Sequence, residues 1–496
     1  MRLRLCQKFR KGLLELINIK FLDRVILLAL LFFIFIFSSM ASADDGDRYI
    51  DVIFTEGTSR DLLGTAIVRG KDIWVPADIL SNLGLPLAKG PNGKGFLIDV
   101  KEPAKVFGIK ELERLAGRSI ALYFPSMDNE GTSYFNVTGL EQLTGIAADE
   151  TNTGLELKRI TVNTLLNRQN PDNASLKNNR ITIAWAHITR DNPDLGAEER
   201  IDGLDVISPT WFNLTDGSGN MANRASSAYV EAAREKGYRI WPLVSNGFSK
   251  ENTSRFFNDT AAVNIFIARL LCYSKLYGFD GINIDFENVD TADRDKYVRF
   301  VSLLSGYLKG QGLVSSVDVH VPGNSNLSRS HDRAALSKHV DYVILMAYDE
   351  HWRTSPRAGS VASMPWVERA VQKTIEEGIP PAKLILGVPF YMRKWEETPA
   401  GQGKVKVKGS TLTMAESDSI ISQRGLSPVW LSDKGQYFYS YLSDGKTYKV
   451  WVENRDSIKT KLSILDKYSL AGVAGWRKGH ETPDVWDTIR TVVKNE

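Results

Sequence analysis

Polar and apolar side chains alternate strictly in the stretch Asp-Gly-Ile-Asn-Ile-Asp-Phe-Glu at residues 280–287. Read as a strand, it carries Asn283, Asp285 and Glu287 on one face and only Ile and Phe side chains on the other. Polar groups gathered on one face of a buried strand are costly unless they are paired or used. The pattern predicts a strand whose last carboxylate lies at its C-terminal end.

Further apolar runs alternate with helical patterns through the C-terminal two thirds of the chain. In the helix predicted after residue 293, apolar residues from Tyr297 to Leu308 recur at helical spacing. Such alternation is typical of an α/β fold with parallel strands, and eight strands in about 300 residues fit a (β/α)8 TIM barrel. The predicted strands are Ile181–Ile188, Leu204–Thr210, Tyr238–Ser245, Phe279–Phe286, Val314–Val321, Tyr342–Ala347, Leu384–Pro389 and Gly472–Trp476.

The barrel is assigned to residues 179–494, with an α+β insertion at 391–455 between its seventh and eighth strands. That interval is too long for one loop and contains a helical piece, Met414–Gln423. It also contains two strand patterns, Gln436–Leu442 and Thr447–Val452, which flank a hairpin signal. Residues 161–178 are polar and predict a linker before the barrel.

Residues 47–160 contain an internal echo, in which the stretch 73–85 parallels the stretch 134–146. Each copy predicts a strand, a short helix closed by Gly, and a further strand, at Phe96–Val100 and at Gly154–Leu157. The pattern predicts a small α+β repeat domain and resembles the stalk repeat first named from the N-terminus of copper amine oxidases. The stretch has no His or Cys, so no copper is implied. It serves either as a spacer or as a binder of wall polymer, and we favour the spacer.

Residues 1–43 have the layout of a signal peptide, with a basic start, an apolar run from Val25 to Phe37 and Ala41-Ser42-Ala43 as the cleavage site. The apolar stretch is also long enough to anchor the chain in a membrane if it stays uncut. Both interpretations predict an exported protein that is extracellular or associated with the cell wall, and we favour cleavage.

Charge and cysteine content exclude some classes of function. Of the 62 Lys/Arg and 59 Asp/Glu residues, residues 1–43 hold seven and two, which leaves 55 and 57. A net charge of −2 after the leader gives no reason to expect nucleic acid as a partner. Outside the leader Cys272 is alone, in an apolar helical stretch, and we expect it to be a core residue.

The two carboxylates Asp285 and Glu287 are separated by roughly 6.6 Å of strand rise. Glycoside hydrolysis needs two carboxyl groups in different roles, a protonated acid and an ionised partner beside it. A solvent-facing antiparallel strand with a charged outer face is the alternative interpretation. The octet resembles the Asp-x-x-Asp-x-Asp-x-Glu signature of family 18 glycoside hydrolases, and it matches that signature at Asp280, Asp285 and Glu287. The insertion at 391–455 also resembles the one found in many chitinases of that family.

The resemblance implies roles for these residues. Glu287 is expected to be the general acid, and Asp285 to orient the 2-acetamido group of the substrate, whose oxygen attacks the anomeric carbon. The configuration is then retained without an enzyme nucleophile. Asp280 and Gly281, at the start of the strand, are expected to be structural.

Asn283 departs from the signature, because many chitinases have an Asp there that shares a proton with the middle Asp. An amide can only donate a hydrogen bond to that Asp, so Asp285 would stay ionised or the acid would be tuned differently. An Asn at this position resembles the bacterial branch of spore-cortex and cell-wall glucosaminidases. Two stretches further along the chain, Glu350-His351-Trp352 and residues 363–367, also resemble that branch.

This second motif, Met346-Ala347-Tyr348-Asp349, resembles the family's Met-x-Tyr-Asp after strand six. By that resemblance Tyr348 would hydrogen-bond the acetamido group, and Asp349 would hold a sugar hydroxyl. The substrate-binding residues are expected to be Asn283, Met346, Asp349, Trp476, Trp185 and Trp211, with Trp476 as the floor on which the sugar stacks. The His residues are scattered without paired spacing, so neither a metal nor a cofactor is expected.

The sequence therefore predicts an exported, retaining β-N-acetylglucosaminidase whose partner is a glycan polymer. We favour peptidoglycan over chitin, with spore cortex as one form of peptidoglycan to consider. Chitinase or chitodextrinase activity is the alternative within the same class. A catalytically silent lectin on the same fold is the alternative from another class. The oligomeric state is left open.

Overall fold

The structure is a computed structural model, and it describes residues 47–160, 180–400 and 404–494. The predicted leader 1–43 and linker 161–178 lie outside the described residues. Twenty-six strands are found in the described part of the chain. They are β1 Arg48–Glu56, β2 Ser59–Arg69, β3 Asp72–Pro76, β4 Leu87–Lys89, β5 Phe96–Lys101, β6 Ser119–Phe124, β7 Ser126–Asn129, β8 Thr132–Asn136, β9 Ile146–Thr151, β10 Gly154–Arg159, β11 Ile181–Ala186, β12 Val206–Pro209, β13 Phe212–Leu214, β14 Met221–Asn223, β15 Arg239–Ile240, β16 Leu243–Ser245, β17 Gly281–Asp285, β18 Val314–His320, β19 Tyr342–Met346, β20 Leu384–Pro389, β21 Tyr391–Pro399, β22 Val405–Thr413, β23 Val429–Leu431, β24 Gln436–Ser443, β25 Lys446–Val452 and β26 Gly472–Trp476.

The α-helices of the same described ranges lie between these strands. They are α1 Ala77–Asn82, α2 Pro103–Phe107, α3 Glu111–Ala116, α4 Glu141–Thr144, α5 Ser227–Glu235, α6 Lys250–Asn258, α7 Thr260–Tyr277, α8 Arg294–Gly310, α9 Asn326–Arg329, α10 Arg333–Ser337, α11 Met364–Glu376, α12 Met414–Arg424, α13 Arg455–Tyr468 and α14 Pro483–Lys494. None of them combines the length and the apolar character needed to cross a bilayer.

The largest sheet contains all the strands that the sequence predicts for the α/β part. Its order is β14-β13-β16-β17-β18-β19-β20-β26-β11-β12-β15, and the pairing is parallel except between β13 and β14. Helix α8 covers it with the apolar stripe that the spacing predicts, including Tyr297, Val301 and Leu308. The mixed α/β class is thereby confirmed.

The sequence predicts one strand at Tyr238–Ser245, but Pro242 divides it into β15 and β16 because proline has no N–H to donate to a ladder. On one side the N–H of Trp241 donates to Ile207 of β12, at 3.1 Å. On the other side the N–H of Asn283 in β17 donates to Pro242, at 3.0 Å. Residues 241 and 242 thus connect β12, near one end of the strand order, with β17, which lies toward the other end, and the sheet curls back on itself.

A five-stranded sheet in the order β22-β21-β25-β24-β23 lies between β20 and β26 in the chain, with α12 beside it. The predicted helix and hairpin are found here. Asp444 and Gly445 have φ values of 52° and 69°, as a tight hairpin turn requires. Strands β21 and β22, which the hydrophobic pattern did not predict, pair with each other over nine residues.

The N-terminal region forms a seven-stranded sheet, β7-β8-β3-β2-β1-β10-β9, and a three-stranded one, β4-β5-β6. The strands that open the two echoed sequences, β3 and β8, pair with each other, so that Trp74 lies opposite Asn136. This region packs against α7. The hydroxyl of Tyr273 accepts from the N–H of Tyr123 and donates to its carbonyl, both at 2.8 Å. Cys272, next to it, is fully buried, as expected.

Candidate functional site

The polar face of β17 lies at one end of the curled sheet. Its apolar residues Ile282, Ile284 and Phe286 have no exposed surface, because they pack beneath the helices. On the other face Asp285 is buried, while the side chain of Glu287, just past the strand, is 28% exposed. The local alternation therefore delivers two carboxyl groups to the same open space.

That space is a cleft of about 1350 Å³. It takes side chains from several strand ends, as open ends of parallel strands commonly do. Seven of the eleven predicted site residues line it: Trp185, Asp285, Glu287, Met346, Tyr348, Asp349 and Trp476. These residues come from positions almost 300 apart in sequence and meet at one site.

Asp285 is in an unusual electrostatic position. Burial, with the nearby charges of Glu287 and Asp318 added, raises the pKa of the Asp285 carboxyl well above its usual range. Its Oδ1 atom is buried and has no hydrogen-bond partner among the described residues. An unpaired buried carboxyl oxygen is costly, so this atom is available to a ligand that brings a donor.

Two histidines, the buried His331 and the partly exposed His320, support the end of the strand after Asp285. The backbone N–H of His320 donates to Nδ1 of His331 (3.3 Å), so Nε2 of His331 carries the proton and donates to the carbonyl of Phe286 (3.1 Å). Burial lowers the pKa of His331 to about 3, which keeps its ring neutral. The ring of His320 stacks on it, with 5.3 Å between centroids, and brings Nε2 within 3.1 Å of Glu287 Oε2. That contact is close, but it is not aligned as a hydrogen bond.

Asn283 does not line the cleft, which contradicts the expectation that it binds substrate. It is 1% exposed and its amide is fully engaged by protein. Its Oδ1 accepts from Trp185 Nε1 at 2.9 Å and from Ser208. Its Nδ2 donates to Ser316 at 3.0 Å and to Asp318 at 2.8 Å. Its role is to hold neighbouring side chains.

The end of β19 supplies Met346, Tyr348 and Asp349 to the cleft. Burial raises the pKa of Tyr348 well above its usual range, so its hydroxyl remains a proton donor. Asp349 has a left-handed backbone (φ 60°), and its Oδ1 accepts from the Tyr391 hydroxyl at 2.7 Å and from Arg393 at 2.9 Å. Tyr391 and Arg393 belong to β21, so the five-stranded sheet contributes to the same cleft.

The three tryptophans proposed for sugar binding differ in their surroundings. Trp476, at the end of β26, is partly exposed in the cleft, and Trp185 packs edge-on against it with 5.9 Å between ring centroids. Trp211 is fully buried between Tyr229 and Phe279, and its Nε1 donates to Asn192 at 2.6 Å. The expectation that Trp211 contacts substrate is therefore wrong; it is a core residue.

Asp280 and Gly281 lie at the opposite end of β17, away from the cleft. Oδ2 of Asp280 accepts from the N–H of Ile240 at 2.8 Å, which joins β17 to β15. A Cβ atom on Gly281 would lie 2.7 Å from the carbonyl of Val314, so only glycine fits there. Both positions serve the sheet, in agreement with a structural role.

The sequence analysis missed several residues of the site, among them Asp318, His320 and Asn246. Asp318 and His320 line the cleft from β18, next to β17. The signal was present, because Ser316, Asp318 and His320 alternate with valines just as the polar residues of β17 alternate with apolar ones. No cluster of three or more metal-ligating side chains occurs in the described ranges.

The family described as Glycosyl hydrolases family 18 matches residues 165–480 of the sequence. The chain belongs to this family. It is 30% identical over 294 residues to the Uncharacterized glycosylase YvbX of Bacillus subtilis (strain 168), a match that covers 56% of this chain and 81% of that protein. It is 27% identical over 260 residues to the Cortical fragment-lytic enzyme of Bacillus anthracis, covering 51% of this chain and 58% of that protein.

Solved structures resemble this family 18 chain as well. The spore cortex-lytic enzyme SleL of Bacillus megaterium QM B1551 gives a TM-score of 0.56 at 17% identity, over 80% of this chain and 98% of that one. A chitinase from Chromobacterium violaceum ATCC 12472 gives 0.56 at 24% identity, over 63% and 98%. At these identities the likeness shows the fold alone. Family membership makes the protein a glycoside hydrolase.

Proposed function

We propose that this family 18 glycoside hydrolase cleaves β-linked N-acetylglucosamine glycans with retention of configuration, and that its polymer is peptidoglycan. The observation that carries the proposal is the convergence of Asp285, Glu287, Tyr348 and Trp476 on one cleft. An acid, a buried carboxyl group, a hydroxyl donor and an aromatic platform are what an acetamido sugar requires.

In the proposed reaction the sugar lies on Trp476 with its acetamido group toward Asp285 and Tyr348. The acetamido oxygen bonds to the anomeric carbon while the glycosidic bond breaks, and Glu287 gives its proton to the leaving oxygen. Asp285, ionised at this point, stabilises the positive charge on the acetamido nitrogen. Water then adds to the anomeric carbon from the side that the leaving group vacated. Glu287 takes the proton of that water, and the acetamido group is released unchanged.

The choice of peptidoglycan is supported by the names of two similar proteins, which refer to cortical fragments and to spore cortex. The departure at Asn283 supports the same branch, because it sets this chain apart from the chitinase signature. Chitin remains the second candidate, since a solved chitinase shares the fold.

The arrangement of the chain is part of the proposal. We interpret the curled sheet as the (β/α)8 barrel, residues 179–494, and the five-stranded sheet as the insertion 391–455 that raises one wall of the cleft through Tyr391 and Arg393. Residues 47–160 are a repeat unit of the stalk type, held directly against the barrel. Residues 1–43 direct export, to the cell exterior or to the wall.

The test is mass spectrometry of muropeptides after the protein is incubated with purified peptidoglycan, with chitin in parallel. New reducing ends on N-acetylglucosamine from peptidoglycan support the proposal, and Glu287→Gln should abolish them. Glu368→Gln, a change of the same type at a surface ion pair with Lys467, is the control and should leave the yield unchanged.

Other outcomes would replace the proposal. Products from chitin alone would favour the chitinase. Tight binding of either polymer without any cleavage would favour the lectin.

A further inference from the structure

Strands β17 and β18 carry a matched ladder of polar side chains, which begins in the buried interior and reaches the cleft at Asp285, Glu287, Asp318 and His320. The two strands are parallel, with Asn283 opposite Ser316 and Ile284 opposite Val317. Continuing that register by one and by three residues gives the polar rungs Asn283–Ser316, Asp285–Asp318 and Glu287–His320. Contacts occur at both outer rungs, because Asn283 donates to Ser316 at 3.0 Å and His320 lies 3.1 Å from Glu287.

The middle rung consists of two carboxylic acids. Neighbouring strands are about 4.8 Å apart, so side chains that share a rung and a face are within reach of each other. Both acids line the cleft, and Asp318 is 1% exposed. Burial raises the pKa of Asp318 well above its usual range, and the charge of Glu287 raises it further. Two adjacent buried carboxyl groups do not both ionise readily, so such a pair holds one proton between them.

Asn283 indicates which acid carries the charge. Trp185 Nε1 can only donate, and it donates to the amide oxygen of Asn283; the amide nitrogen must therefore face Asp318, to which it donates at 2.8 Å. A hydrogen bond donated to a carboxylate favours its ionised form. Asp285 Oδ1, by contrast, is buried without a partner among the described residues. In the substrate-free site the negative charge then resides on Asp318 and the proton on Asp285.

We propose that Asp318 is the proton-exchange partner of Asp285 during turnover. When the acetamido N–H of the substrate reaches Asp285, the O–H bond of Asp285 breaks and an O–H bond forms on Asp318. The negative charge moves from Asp318 to Asp285, where it faces the developing positive charge of the substrate. The proton returns when the product leaves, so the pair neither gains nor loses one. This step rests on the proposed function, because it needs a substrate that carries an N-acetyl group.

The proposal can be tested by exchanging the amide and the carboxyl group between positions 283 and 318, because Asn283 and Asp318 are adjacent and nearly the same size. Asp318→Asn is expected to lower kcat/KM for an aryl β-N-acetylglucosaminide by about 100-fold. It should also shift one limb of the profile of kcat/KM against pH. The double variant Asn283→Asp/Asp318→Asn returns a carboxyl group to the pair and should recover at least tenfold of the loss. Asp341→Asn is the matched control, because this carboxylate accepts from the backbone of Ser315 outside the cleft and carries no part of the ladder.

An unchanged pH profile in Asp318→Asn, or a double variant that is no better than the single one, would overturn the proposal. A second measurement needs no substrate. In a carboxyl NMR titration of protein labelled at aspartate, Asp285 should titrate at lower pH in Asp318→Asn than in the natural protein, because a like charge has been removed. Identical titrations would also overturn it. If the natural protein cleaves no N-acetylglucosaminide while the titrations differ, the proposed function fails and the shared proton stands.

Discussion

Asn246 binds both backbone polar groups of Glu287. Its Oδ1 accepts from the N–H of Glu287 at 3.1 Å, and its Nδ2 donates to the carbonyl of Glu287 at 2.6 Å. The side chain is fully buried, and the same amide also contacts Thr253 and the N–H of Phe248. The proposed acid thus lies on backbone whose position is set from the neighbouring strand end.

We expect Asn246→Ala to lower kcat by roughly 10- to 100-fold, because a small displacement of a catalytic group is enough for such a loss. It should also cost about 1–3 kcal/mol of stability, since buried backbone groups lose their partners. Asn223→Ala is the matched control. Asn223 is equally buried and bridges two backbone groups, of Tyr123 and Ala225, away from the cleft. It should lose similar stability in thermal unfolding while kcat is unchanged. Equal kcat losses in both variants would contradict the role of Asn246.

Trp476 and Trp211 should respond differently to the same substitution. Trp476→Phe shortens the exposed platform, so KM for an N-acetylglucosamine oligomer should rise several-fold with little change in Tm. Trp211→Phe removes a buried hydrogen bond to Asn192 and leaves a cavity, so Tm should fall while KM stays the same. A rise in KM for Trp211→Phe would restore the sequence-based expectation for that residue.

The residues that sequence could supply are those whose signal is local. Asp285 and Glu287 lie two residues apart at the end of one strand, and Tyr348 lies in one short motif, so their spacing along the chain carries the information. Asn246 and Asp318 matter through the neighbours they meet, and those neighbours are set by the register between strands. That register is fixed by long-range packing and is not written in any single segment.

Trp211 shows the opposite error. Its place just after a predicted strand suggested a strand-end platform, but β12 ends at Pro209 and the chain turns before β13 begins at Phe212. The ring then packs into the core against Tyr229. Similarly, the split of the third predicted strand at Pro242 follows from a missing N–H that the hydrophobic pattern does not register.

His331 predicts a specific pH dependence of stability. Its folded-state pKa of about 3 lies far below the value near 6.5 expected in the unfolded chain. The unfolded state therefore binds more protons as pH falls below that value, and the stability contributed by the neutral ring is lost toward acid pH. The loss amounts to about 3 kcal/mol between pH 7 and pH 4.

The variant His331→Gln tests this prediction, because an amide can accept from His320 and donate to Phe286 without titrating. As pH falls from 7 to 4, the natural protein should lose more unfolding free energy than the variant, by about 3 kcal/mol. Other titrating groups, such as the cleft carboxyl groups with raised pKa values, affect both proteins equally, so their contributions cancel in that difference. A difference that is independent of pH would show that His331 does not stay neutral.

Glu453 and Lys461 form an ion pair with no exposed surface, at 2.8 Å, between the end of β25 and helix α13. Burial raises the pKa of Glu453, and Lys461 opposes that rise. Lys461→Met should leave a buried carboxyl group unpaired and cost about 3–5 kcal/mol, whereas Glu453→Gln/Lys461→Met should recover most of it. In the single variant the loss should grow as pH rises, because the folded state then holds a proton that the unfolded state releases. The stability of all variants is measured by guanidinium unfolding. In that measurement Lys467→Met, which breaks the surface pair with Glu368, should cost less than about 1 kcal/mol. A loss for Lys461→Met as small as that control would mean that water reaches Glu453 and that the pair does not hold the five-stranded sheet to the helix before β26.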